Sequence, residues 1–120
     1  MDGLHIPFRV VFYQEDGDWV AHCLEFDLVG AATSKEEAMQ LLSKAIFVQV
    51  KATAKSKNLK NLFRPAESEY FQKFAAGDDI AQGELEVVVK KTKNLTVEKT
   101  EARIWRPRPT PRRRGSRVLA

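Results

Sequence analysis

Apolar positions crowd the run Phe8-Arg-Val-Val-Phe-Tyr-Gln-Glu15, broken by Arg9 and closed by Gln14 and Glu15, with enough alternation to suggest a period of two. That rhythm, with its β-branched and aromatic residues, predicts a half-buried strand. Asp16-Gly17-Asp18 follows, with a glycine able to take positive φ in a tight connection, and Trp19-Val-Ala-His-Cys-Leu24 resumes the β pattern. The two runs predict a hairpin. After a polar break at Glu25 to Asp27, Leu28-Val-Gly-Ala-Ala-Thr33 predicts a short third strand, in which Gly30 marks a bulge or a close backbone approach.

The period then changes. Ser34-Lys-Glu-Glu37 has the spacing of a capping box, and Ala38, Leu41, Leu42, Ala45 and Ile46 recur at three and four residues, which predicts an amphipathic helix packed on the sheet. Its apolar stripe fades beyond Val50, and Lys51 to Lys60 is expected to be a frayed helix end and a loop. A second helix is expected with Pro65 in its first turn, Tyr70, Phe71 and Phe74 on one side and Gly77 as its stop. Glu84 to Lys91 predicts a fourth strand, with Leu85, Val87 and Val89 on one face. A turn near Lys93-Asn94 allows another β segment, Thr96 to Trp105, whose alternation is weaker and whose pairing the pattern leaves open. Three prolines and five arginines beyond Arg106 oppose regular packing.

The expected fold class is therefore α+β, in the order β-β-β-α-(α)-β, a small antiparallel sheet on one main helix. Residues 1–91 form the domain, 92–105 an additional strand, and 106–120 a disordered arginine-rich tail. A chain of 120 residues that is 43% apolar suits one modest core. No run reaches the roughly 18 to 20 apolar residues of a membrane helix, and Met1 to Pro7 lacks the features of a signal peptide, so the expected location is cytoplasmic, without membrane contact. With Cys23 the only cysteine, no disulfide can form within the chain.

Charge divides the chain. Arg103, Arg106, Arg108, Arg112, Arg113, Arg114 and Arg117 stand in a stretch without acids; the formal charge of +4, less these seven, leaves −3 for the rest. A basic tail of this kind allows weak, non-specific nucleic-acid binding through Arg106, Arg108, Arg112, Arg113, Arg114 and Arg117, or it simply stays solvated.

Catalytic constellations are sparse. Glu25 and Asp27 invite a divalent-metal nuclease reading, but two-metal chemistry needs further converging carboxylates, and turn formation and solvation explain these two. His22 and Cys23 are adjacent, so a strand sends them to opposite faces, one inward and one outward, where they cannot share a metal or form a nucleophile–base pair. Trp19, Phe12 and Tyr13 read as core and sheet-surface residues. There is no P-loop, dinucleotide fingerprint or Gly-x-Ser-x-Gly elbow. No catalytic residue, metal or cofactor is expected.

The ordered series over Phe8 to Ile46 resembles the HicB-like family: an alternating strand ending in an acidic-Gly turn, an aromatic followed by Val-Ala, a polar corner with Leu-Val-Gly, then Thr-Ser-Lys-Glu-Glu-Ala. The resemblance implies a partial ribonuclease-H-like fold and the role of an antitoxin that inhibits a small RNA-cleaving HicA-like toxin by binding it. Many family members add a C-terminal DNA-binding module. Here no pair of amphipathic helices follows Val89, so the resemblance is to a free-standing member. If it holds, a basic toxin docks on Glu15, Asp16, Asp18, Glu25 and Asp27, and the open edges of a small sheet favour a homodimer or higher oligomer.

Overall fold

The computed structural model describes residues 4–56, 60, 62–80, 89–92 and 95–107. Strands β1 (Leu4–Glu15) and β2 (Asp18–Cys23) pair antiparallel, and β3 (Leu28–Ala32) continues the meander on the far side of β2. The connection between β1 and β2 is two residues long, with Asp16 at φ 53° and Gly17 at φ 86°. Positive φ at both positions is the twist that joins right-twisted strands without splaying them.

Helix α1 (Lys35–Ser56) starts where the capping spacing places it. The amide of Glu37 donates to Ser34 Oγ, while the Glu37 carboxylate accepts from the hydroxyls of Thr33 and Ser34, where a full box would take the backbone amide of Ser34. The buried stripe is Ala38, Met39, Leu42, Ile46, Val50 and Thr53, so it is rotated from the expected one and reaches further: Leu41 is exposed and Ala45 half-buried. Close approach to β3 sets that rotation. A Cβ on Gly30 would meet Ala38 O and Leu42 N at 2.4 Å each, so the helix backbone rests directly on the strand.

Helix α2 (Ser68–Ala76) begins three residues after Pro65, not around it. The chain ahead of it is tied down in another way, since the amides of Arg64 and Ala66 donate to the carbonyls of Glu25 and Leu24. These two bonds hold the segment extended beside the β2–β3 turn, and the chain stays extended through Glu67, at φ −67° and ψ 158°, before the helix starts. Gly77 ends the helix at an ordinary negative φ; the reason for glycine there is space, because a Cβ would meet Ile104 O at 2.9 Å.

The remaining strands are β4 (Asp78–Asp79), β5 (Val89–Thr92) and β6 (Leu95–Ile104). The expected fourth strand thus appears only from Val89 onward, and residues 84–88 lie outside the described ones. Strand β6 runs parallel to β1 along nearly its whole length, which gives the order β3-β2-β1-β6, with β4 and β5 sharing the outer edge of β6. The sheet is mixed, and the expectation of a purely antiparallel one is corrected. A chain that pairs β1 with a strand some eighty residues later can enter from either end, and alternation within a strand does not say which.

Both faces of the sheet are covered. Phe8, Val10, Phe12, Ala21, Cys23, Val97 and Ile104 pack beneath α1, whereas Val11, Tyr13, Val20 and Leu24 face Ala66 and α2. Hence His22 and Cys23 do take opposite faces, but neither points outward: both are buried. Among the described residues no helix is long and apolar enough to cross a membrane.

Candidate functional site

Among the described residues, the face beneath α2 gathers a row of buried and half-buried polar groups. Strand alternation places Arg9, Val11, Tyr13 and Glu15 there from β1, Asp18, Val20 and His22 from β2, and Glu101 and Arg103 from β6, with Trp105 just beyond. His22 is only 3% exposed. One ring nitrogen, Nε2, is 2.7 Å from Asp27 Oδ1 and the other, Nδ1, is 2.8 Å from the Tyr13 hydroxyl. In the neutral ring Nε2–H donates to the Asp27 carboxylate, which leaves Nδ1 to accept from the phenol. Asp27 reaches back across the turn from φ 52°, a conformation that aspartate and asparagine tolerate better than most residues. Burial, with Tyr70 and Glu15 nearby, holds the Tyr13 phenol well above its ordinary pKa, so it remains a hydrogen-bond donor.

Aromatic rings and cations interleave over this row. Tyr70 packs on both Tyr13 and His22, at 5.6 and 4.3 Å between centroids. Phe74 lies between two guanidinium groups, Arg103 at 4.5 Å and Arg9 at 5.5 Å from its ring centre. Lys73 Nζ faces Tyr13, Tyr70 and Trp105. Helix α2 is therefore held by cation–π contacts as much as by apolar burial, with Phe74 its only fully buried residue.

Each of these cations has a carboxylate partner. Arg9 Nε donates to Glu25 at 2.7 Å, Arg103 meets Asp79 and Glu101, and Lys73 lies 3.8 Å from Glu69. Glu25 does more, since its other oxygen accepts from the backbone amide of Arg9 at 2.7 Å. The pairing of β1 with β6 slips by one residue between Phe8 and Arg9, and the carboxylate takes up the amide at that irregularity.

No protein-family model, curated protein or solved structure matches the chain.

The five acids expected to face a partner fall into two groups. Glu15, Asp16 and Asp18 are exposed around the β1–β2 turn, whereas Glu25 and Asp27 belong to the opposite end of β2, roughly 20 Å away along the strand. They do not form one patch. Glu25 and Asp27 lie in the β2–β3 turn as expected, and Asp27 is exposed, but each also engages a neighbour, Arg9 and His22, so neither is a free metal ligand. Among the described residues no three His, Cys, Asp or Glu gather in a metal-holding group. His5 is engaged by Glu98. Of the tail arginines, Arg106 is exposed, with its guanidinium 6.0 Å from the Trp19 ring; Arg108, Arg112, Arg113, Arg114 and Arg117 lie outside the described residues.

Tyr70, Lys73 and Trp105 were not legible as partners of Tyr13 and His22. The aromatic side of the second helix was visible in the sequence; the face it covers was not.

Proposed function

We propose that the chain is a non-catalytic protein-binding module, HicB-like in arrangement, that binds and neutralises a small RNA-cleaving toxin of the HicA type. The observation that carries this reading is the outer edge of β3. Leu28–Ala32 contains no charge, no proline and no bulge, the devices by which soluble proteins blunt a sheet edge, and among the described residues no strand pairs beyond it. Val29 is 49% exposed on this strand, and Leu41, whose backbone passes beside Gly30, adds 43% exposure from the helix above. Such an edge accepts an extended segment, with main-chain bonds supplying affinity and the flanking apolar side chains register.

The class of the partner rests on the resemblance over Phe8 to Ile46, and the β-β-β-α order in that segment supports it. A lone strand suits the edge better than a second copy does. With α1 directly over Gly30, an antiparallel copy centred there would bring its own α1 to roughly 5 Å from this one, closer than the roughly 8–10 Å at which helices pack.

The reading is tested with a purified HicA-type toxin and the Val29→Glu variant. That side chain is exposed, so folding is expected to change by less than about 0.5 kcal/mol. Toxin binding should weaken by about tenfold or more, with matching loss of protection against RNA cleavage. Equal affinity of the variant and the parent for the toxin refutes the strand-docking mode; absence of any binding by the parent refutes the toxin as partner.

A further inference from the structure

Three rings from three separate elements converge on one ammonium group. Tyr13 of β1, Tyr70 of α2 and Trp105 after β6 have ring centres 5.7, 5.6 and 4.5 Å from Lys73 Nζ. The walls are positioned without help from the lysine. Tyr13 is anchored through its hydroxyl to His22, Tyr70 stacks on Tyr13, and the backbone amide of Trp105 donates to Phe12 O at 2.8 Å. Glu69 stands one helical turn before Lys73, and burial first, with Glu15 and Glu69 adding smaller contributions, holds both tyrosine phenols up in pKa. Negative ring faces and two carboxylates make a setting that favours a cation whichever residue carries it.

We propose that this box is a recognition pocket for a lysine or arginine side chain of a partner protein, and that Lys73 is its resident occupant, displaced on binding. The proposal rests on the protein-binding reading above and names a second contact for it. The Lys73 side chain keeps 22% of its surface exposed, so the box is open on one side, which suits a side chain delivered from a docked surface. Once expelled, Lys73 keeps Glu69 within reach at helical spacing, and its loss from the rings is balanced by the incoming cation. A phosphate-bearing ligand does not fit this face, because Arg9 and Arg103 are neutralised by Glu25, Asp79 and Glu101. The acidic Glu15 and Asp18, on the same face at the adjoining turn, would border the approach of a basic partner.

Two measurements test it. With Trp19→Phe in place, Trp105 is the only tryptophan and its emission reports on the box. In that background Lys73→Gln should bind acetyl-Gly-Arg-Gly-amide saturably and about tenfold more tightly than the Lys73 form, should ignore the uncharged citrulline analogue, and should lose binding when Tyr70→Leu is added. An equal response to both peptides, or none, in a Lys73→Gln protein that melts like its parent overturns the proposal. On the unmodified chain, the ε-methylene protons of Lys73 should resonate upfield of those of other lysines through ring currents and return toward the free value as the arginine peptide is added. Persistence of the upfield shift at saturating peptide overturns the displacement. A toxin that binds the Tyr70→Leu variant as well as the parent overturns this inference and leaves strand docking at β3 standing, whereas peptide entry without toxin binding supports the box and refutes only the toxin.

Discussion

The hydroxyl of Tyr13 and Nδ1 of His22 are 2.8 Å apart in the space between the sheet and α2, with both residues buried. Neither group has water to fall back on if its partner is removed. Tyr13→Phe leaves the nitrogen without a donor and should lower stability by about 1–3 kcal/mol in urea titrations. If the phenylalanine variant unfolds at the parent midpoint, the bond contributes nothing net.

Glu25 joins two elements through a carboxylate that serves both the amide and the guanidinium of Arg9. Glu25→Ala should cost about 2 kcal/mol, because a part-buried amide and a cation lose their acceptor together, while Glu25→Gln, which keeps one oxygen, should cost about half of that. Chemical denaturation of the three proteins side by side orders them; an alanine variant as stable as the glutamine variant refutes the double role.

Two glycines are required for opposite reasons, and alanine separates them. At Gly30 the backbone is unstrained but α1 is in the way, so Gly30→Ala must push the helix outward, at about 2–3 kcal/mol. At Gly17 there is open space but φ is 86°, so Gly17→Ala should cost about 1 kcal/mol through backbone strain alone. A D-alanine at 17, introduced by chemical synthesis, should restore the melting temperature; the same replacement at 30 should not.

Burial pushes the Cys23 thiol up to about 12 from an ordinary value of 9.0, with backbone bonds to Phe26 and Glu25 offsetting part of the effect. Folded and unfolded chains both hold the proton below about pH 9. Between there and about pH 12 the unfolded chain releases it and the folded one does not, so stability falls by up to about 1.4 kcal/mol per pH unit. Urea midpoints measured from pH 8 to 11 should therefore decline, and less steeply in Cys23→Ala. Ellman's reagent should leave the native thiol untouched at pH 8 and label it fully in urea. Rapid labelling of the native protein contradicts the burial.

Local chemistry was readable wherever neighbours in sequence are neighbours in space. Asp16-Gly17 announced the hairpin, Ser34 and Glu37 the start of α1, and Gly30 the close approach that α1 makes. What stayed hidden depended on distant pairing. Strand β6 looked weak because the slip opposite Phe8 and Arg9 skips Thr100, so Val97 and, beyond the slip, Ala102 and Ile104 all face α1 although their parity differs. A period-two search reads that change of phase as loss of pattern. The cation–aromatic face was hidden for another reason: Arg9, Lys73 and Arg103 look like solvated charges until the rings opposite them are known, and Glu25 and Asp27, which do form the turn, show their second role only once Arg9 and His22 are placed beside them.

The parallel union of β1 with β6 also has a consequence in time. Phe12 finds Ile104 only after about ninety further residues have been made, which takes roughly 5 to 18 s at ordinary rates of translation. Throughout that interval the nascent hairpin presents one unpaired edge of β1, its amides and carbonyls without partners, to the crowded surroundings of the ribosome. A message broken before codon 104 would release a product with that edge still open, prone to clumping, and quality control in the cell should clear such fragments faster than any full-length point variant described above.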